Sequence, residues 1–226
     1  MSKQKALLLL LSGILGCLCF GCGDWLMIYA DHTAHGALFW LTEGTAQIAP
    51  WRNMLAMALA FPGIIFYALA LFALASFITD NNSRATYRAL TVIGLLPWLA
   101  LHLFYIMILA LFAWMNANIS ADIALQSSEM LYNRFSWIIT VSEIFMILPF
   151  IYWFYLQISA KTIFPRVFAL SNVLLIYLIL SLGKFILPVS AFRLGFINGL
   201  MSESMLFFFA FNYLGGYHYY KIRNFF

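Results

Sequence analysis

Charge is what this sequence has least of. Asp, Glu, Lys and Arg together supply 9% of its 226 residues, where a soluble domain carries about 25%. A globule must cover itself with groups that water solvates, so hydrocarbon is the expected solvent over most of this surface. Polar tracts are missing too, which excludes a large soluble domain. Disorder is excluded by a content of 65% apolar and 19% aromatic residues, because disordered chains are polar and poor in aromatics. No basic tract accompanies the net charge of +4, so membrane lipid rather than nucleic acid is the expected partner. Cysteine is scarce: Cys17, Cys19 and Cys22 all fall on one apolar run. Three thiols on one segment do not make a disulfide framework.

What the chain has is long apolar runs. Runs of roughly 20 residues read as membrane-spanning helices, and six are present, at about 6–29, 54–78, 89–115, 136–158, 167–188 and 195–216. They are continuous rather than alternating, which argues for helices over strands. The expected fold is all-α: one polytopic membrane bundle with both termini cytoplasmic, in a cell membrane.

The orientation follows from the basic residues. With the N-terminus inside, Lys3, Lys5, Arg84, Arg88, Lys161, Arg166, Lys221 and Arg223 are cytoplasmic, and Arg52, Arg134 and Arg193 are outside. Eight against three is the positive-inside bias. The first run, with Lys3 and Lys5 before its leucines, also has the look of a signal peptide, and Ile14-Leu15-Gly16-Cys17 that of a lipoprotein cleavage site. The run continues to Tyr29, longer than a signal core needs, so an uncleaved first helix is the reading taken.

Two outer loops are expected. The segment 31–51 holds Ala37-Leu38-Phe39-Trp40-Leu41, suited to the membrane interface, and 116–135 suits a short surface helix. Pro62, Pro97 and Pro149 interrupt three spans, where each removes a backbone bond. Ser12, Gly16, Cys19 and Gly23 form a stripe of small residues on which a second helix can pack closely.

Ionisable residues inside spans are the informative ones, since each costs about 2.5–3.5 kcal/mol at a helix centre unless it faces a partner or water. This chain has Asp24, His102, Glu143, Lys184 and Glu203. At 1.5 Å per residue, Asp24 lies about 8 Å from the outer boundary, Glu143 about 10 Å, Lys184 about 6 Å and Glu203 about 12 Å. Four helices therefore bring charge into the outer half of the membrane, and His102 sits near the midplane. The pattern points to an outward polar cavity that binds or moves a small molecule or ion. Its structural alternative is that Lys184 pairs with Glu143 or Glu203 and fixes helix register.

Arg52, Arg134 and Arg193 stand at outer helix ends, as rim residues for an anion or as headgroup contacts. Asn198 and Ser202 stack on one face of the last helix, with helix packing the expected role. No metal or cofactor is expected. Asp31-His32-Thr33-Ala34-His35 has two histidines but no further ligand at a metal-binding spacing, and Cys19-Phe20-Gly21-Cys22 lacks the second cysteine pair that redox relay needs.

The run Gly23-Asp24-Trp25-Leu26-Met27-Ile28-Tyr29, followed by Trp51-Arg52, resembles a family of uncharacterised bacterial multi-pass membrane proteins. Its members share Gly-Asp-x-Leu-x-x-Tyr at the end of helix one and a Trp-Arg pair after the outer loop. The resemblance covers about the first third of the chain. It implies a six-helix type of topology and gives weight to Asp24 and Arg52, and it implies no activity. Beside the binding or transport reading stand two others: an enzyme acting on a lipid or lipophilic substrate, and a structural or regulatory subunit of a larger assembly.

Overall fold

A computed structural model describes the backbone of residues 3–30, 34–35 and 38–223, and the side chains of these except 3, 34–35, 38–40, 99–100 and 222–223. Eight helices carry nearly all of it. They are α1 (Lys3–Ile28), α2 (Glu43–Ala46), α3 (Pro50–Leu74), α4 (Asn81–Asn118), α5 (Ala121–Ile158), α6 (Val173–Ser181), α7 (Gly183–Ile186) and α8 (Ala191–Arg223). A two-stranded hairpin, β1 (Ala34–His35) with β2 (Leu38–Thr42), precedes α2.

Among the described residues five helices are long and apolar enough to cross a membrane, built on α1, α3, α4, α5 and α8. The fold is all-α in its spans, compatible with an integral membrane protein. The fifth apolar run, expected to be one helix over 167–188, is broken into a 3-10 turn at Arg166–Ser171, then α6 and α7. Its longest apolar helical stretch is Val173–Ile186, about 21 Å long, short of the ~30 Å hydrocarbon core. Asn172 makes the first break: its Oδ1 accepts from Leu174 N at 3.0 Å as an N-cap, and its Nδ2 donates to the Phe150 carbonyl of α5 at 2.9 Å. A buried amide pinned at both ends favours a helix start at that point over continuation through it.

Helix directions come from what touches what. Leu7 meets Gly216, Gly13 meets Phe209, and Trp25 meets Gly195, so α1 and α8 are antiparallel neighbours. The start of α1 and the end of α8 therefore lie at the same end of the bundle, the terminal end. Gly16 lies on the Gly63 carbonyl and Gly23 on Ala56, and the Ser12 hydroxyl donates to the Phe66 carbonyl at 3.1 Å. The small-residue stripe thus receives α3. The broken segment runs antiparallel to α8, since Phe168 packs on Gly215 and Phe196 on Gly183.

Helices α4 and α5 have 38 residues each, about 57 Å. The segment 116–135, expected to be an outer loop with a surface helix, is instead helical except at one turn. Asn118 ends α4, and the Ser120 hydroxyl caps α5 by accepting from Ile123 N at 3.2 Å. His102 packs on Phe20 of α1, so α4 passes the level of Ile28 near residue 110. The rest of the α4–α5 hairpin projects about 12 Å beyond α1. The other expected interfacial stretch, 37–41, falls partly outside the described residues. Its last member, Leu41, is buried, as are Thr42, Thr45 and Ala46, with α2 lying against α4.

At the terminal end, Arg84 ties α3 to α4. Its Nε donates to the Ala75 carbonyl and its Nη2 to that of Ile78, at 3.1 and 2.7 Å. The core above is aromatic: Phe20, Tyr67, Trp98, Phe150, Trp153, Phe208 and Phe209 are all buried. Tyr67 contacts Phe20, Trp98 and Phe209, with ring centroids 5.0–5.9 Å apart.

Candidate functional site

The helices fall into two packed groups, α1–α3–α8 with α6, and the hairpin α4–α5. Where the groups separate, above the aromatic core, lies a cavity of about 550 Å³. Asp24, Met27 and Ile28 of α1 line one side; the other lining residues include Trp98, His102 and Tyr105 of α4, Tyr132, Thr140 and Glu143 of α5, Leu174 and Tyr177 of α6, and Asn198 and Ser202 of α8, with aliphatic residues of α4, α5 and α8 between them.

Proline and glycine shape the α4–α5 side. Pro149 has no N–H for the Phe145 carbonyl, four residues back, and Gly94 approaches that oxygen so closely that a Cβ would stand 2.9 Å from it. The Ser142 hydroxyl donates to the Pro97 carbonyl at 3.1 Å. These contacts lock α4 to α5 and hold His102 and Glu143 on a common face of the hairpin.

The Asp24 carboxylate accepts from the Ser202 hydroxyl at 2.9 Å, linking α1 to α8. His102 Nδ1 lies 2.9 Å from the Trp98 carbonyl. A carbonyl only accepts, so Nδ1 carries the hydrogen, which leaves Nε2 as an acceptor when the ring is neutral. The ring itself stands edge-on to Phe20 and Trp98, 4.5 Å between centroids in each case. Glu143 is exposed, and so are Thr140 and Tyr177; every other lining residue is buried or half-buried. The exposed part of the wall is therefore the seam between α5 and α6, and that seam is the mouth.

The five intramembrane ionisable residues separate into two sets. Asp24, His102 and Glu143 share the cavity wall, whereas Lys184 and Glu203 are not part of it. Lys184 is exposed on α7, its Nζ 4.9 Å from the Phe185 ring centroid. Among the described residues no ion pair joins it to Glu143 or Glu203. Glu203 instead accepts from Trp25 Nε1 at 3.4 Å, while its Oε2 is buried without a hydrogen-bond partner.

The rim arginines do not converge either. Arg52 caps α1, its Nη2 donating to the carbonyls of Tyr29 at 3.0 Å and Trp25 at 3.4 Å. Arg134 is exposed on α5, and Arg193 is half-buried in the first turn of α8, its backbone N–H donating to the Ser190 hydroxyl. Asp31, His32 and Thr33 lie outside the described residues, and so does the side chain of His35. Among the described residues no three His, Cys, Asp or Glu side chains gather as metal ligands, and Cys17, Cys19 and Cys22 are free thiols.

The seat of Trp25 is not among the expected site residues. Gly195 and Gly199, four apart on α8, leave a notch that holds the Trp25 ring, with Glu203 Oε1 beside Trp25 Nε1 at Gly199. That small-xxx-small spacing is a readable signal for close helix approach. The run 23–29 now has a physical account. Gly23 admits α3, Asp24 reaches the cavity, and Trp25 fills the α8 notch with Tyr29 stacked on it at 5.6 Å. Arg52 then closes the end of the helix.

The profile of a family of unknown function, DUF6796, matches residues 1–217. The chain belongs to that family. No curated protein and no solved structure matches it, so the cavity is read on its own chemistry.

Proposed function

We propose that this DUF6796 protein is a multi-pass protein of the bacterial cytoplasmic membrane that binds, and in the fuller form of the reading transports, a small molecule. The observation that carries the reading is the cavity between α4–α5 and α6–α8. Its volume of about 550 Å³ falls within the ~300–1,000 Å³ of ordinary ligand pockets. Its wall mixes aromatic and apolar residues with a few convergent polar groups, as such pockets do.

The topology we propose has six crossings, the fifth made by the broken segment 166–186. Its antiparallel course along α8 supports that count. The positive-inside bias favours a cytoplasmic terminal end, and the cavity then lies in the outward half of the membrane. Its mouth between α5 and α6 faces the bilayer sideways, so a ligand enters from the lipid phase rather than from bulk water.

Binding is preferred over catalysis because the polar groups are not arranged as a relay. Ser202 donates directly to Asp24, and among the described residues no hydrogen bond links His102 to either.

Thr140 stands at the mouth and is exposed, so Thr140→Trp obstructs entry without invading the core. Purified wild type is expected to gain thermal stability with members of a panel of lipophilic small molecules, and the variant to lose those gains while melting at the same temperature without ligand. Equal responses from both proteins would refute entry through this mouth.

A further inference from the structure

We propose that the cavity selects organic cations, amphipathic molecules with an ammonium or phosphonium-like centre on an apolar or aromatic body. This rests on the reading of the cavity as a ligand site and names the class of ligand it takes.

The first argument is the sign of the wall. Its ionisable groups include Asp24, Glu143 and His102, and neither lysine nor arginine contributes to it. Arg52, which bonds the carbonyl of Trp25 next to Asp24 in the chain, is held there and on the carbonyl of Tyr29. An anionic ligand would meet two carboxyl groups and no cation to offset them, whereas a cation finds its counter-charge in place. In a low-dielectric setting that difference decides between otherwise similar ligands.

The second argument is independent of the carboxyls. Trp98, Tyr105, Tyr132 and Tyr177 all line the same space. Aromatic faces carry negative electrostatic potential, and cages of such rings are the usual receptor for substituted ammonium groups. A bare inorganic ion would leave most of 550 Å³ unfilled, and no metal-ligand group gathers among the described residues.

The third argument is the position of the mouth. Glu143 and Tyr177 flank it from α5 and α6, both exposed. In the proposed topology this seam faces lipid, which a strongly hydrated ion does not enter and an amphipathic cation does. Glu143 then gives such a molecule a carboxylate at the entrance, and Asp24, bonded to Ser202, gives it one further in.

Tetraphenylphosphonium and tetraphenylborate have the same shape and opposite charge, and triphenylphosphine oxide is a neutral relative. Binding of the three to the full chain in zwitterionic nanodiscs is measured by equilibrium dialysis, with partition into empty nanodiscs subtracted. The phosphonium is expected to bind saturably with a Kd at least about tenfold below that of the borate, a difference of about 1.4 kcal/mol. Glu143→Gln, at an exposed position, is expected to weaken the phosphonium about tenfold and to leave the melting temperature unchanged; Asp24→Asn provides a second weakening.

Equal or tighter binding of the borate, or a phosphonium Kd unmoved in Glu143→Gln, overturns the cation preference and leaves the ligand cavity standing. Failure of all three probes to bind above empty nanodiscs overturns the cavity reading as well.

Discussion

The hydroxyl of Ser202 donates to the carboxylate of Asp24 at 2.9 Å, and this bond joins α1 to α8 at the cavity wall. Ser202 is buried. Removing its hydroxyl strips a donor from a carboxylate with few alternatives, at a cost of about 1–3 kcal/mol. Ser202→Ala is expected to unfold earlier in a detergent denaturation series. Ser202→Thr, which keeps the hydroxyl, is expected to recover most of the loss.

Arg52 has a structural role that separates it from an anion-binding one. Its guanidinium satisfies two carbonyls at the end of α1, so Arg52→Met is expected to cost about 1–2 kcal/mol of stability. Arg52→Lys should restore part of it. Titration with phosphate or carboxylate ligands is expected to shift the melting temperature of wild type and variant equally; a shift confined to wild type would assign Arg52 to a ligand instead.

Two glycines predict opposite outcomes for the same substitution. At Gly94 a Cβ would stand 2.9 Å from the Phe145 carbonyl oxygen, a backbone atom that cannot turn aside. Gly94→Ala must part α4 from α5 and is expected to destabilise by about 1–3 kcal/mol. At Gly21 the nearest atom is Ser202 Cβ at 3.8 Å, an ordinary contact. Gly21→Ala is expected to be neutral or to stabilise by up to about 1 kcal/mol through helix propensity. Parallel melting curves of the two variants check the pair.

Ala160 has φ 53°, left-handed backbone just past the end of α5. The Lys161 N–H reaches back to the Leu156 carbonyl at 2.8 Å, closing a Schellman turn whose left-handed position favours glycine. Ala160→Gly is expected to raise stability by about 0.5–1 kcal/mol, read as a higher melting temperature with unchanged ligand response.

Much of the bundle is legible in the amino-acid sequence because apolar run length maps directly onto membrane thickness. Five of the six runs become helices near their expected positions. The run at 167–188 is not one continuous helix because hydropathy is blind to hydrogen bonding: Asn172 is one polar residue in an apolar stretch, yet its bonds to Phe150 and Leu174 make α6 start there. The 116–135 segment misleads in the opposite sense: its polar residues read as a loop, yet only the turn between Asn118 and Ala121 interrupts the helical backbone.

For the site, ionisable residues inside spans single out Asp24, His102 and Glu143, which share one cavity wall. Depth alone could not separate them from Lys184 and Glu203, which reach similar levels on other helix faces. The aromatic wall is hidden for another reason. In a chain this rich in Phe, Tyr and Trp, composition does not say which rings face a void.

The account turns on the space between the α4–α5 hairpin and the α6–α8 wall. An experimental density map of the protein in lipid nanodiscs, soaked with the phosphonium probe, tests that most directly. The account predicts connected non-protein density between the two helix groups, with its charged centre toward Glu143 and Asp24 and its body against Trp98 and Tyr177. A map in which α5 closes onto α6, with side chains filling the gap and no density between them, would contradict it.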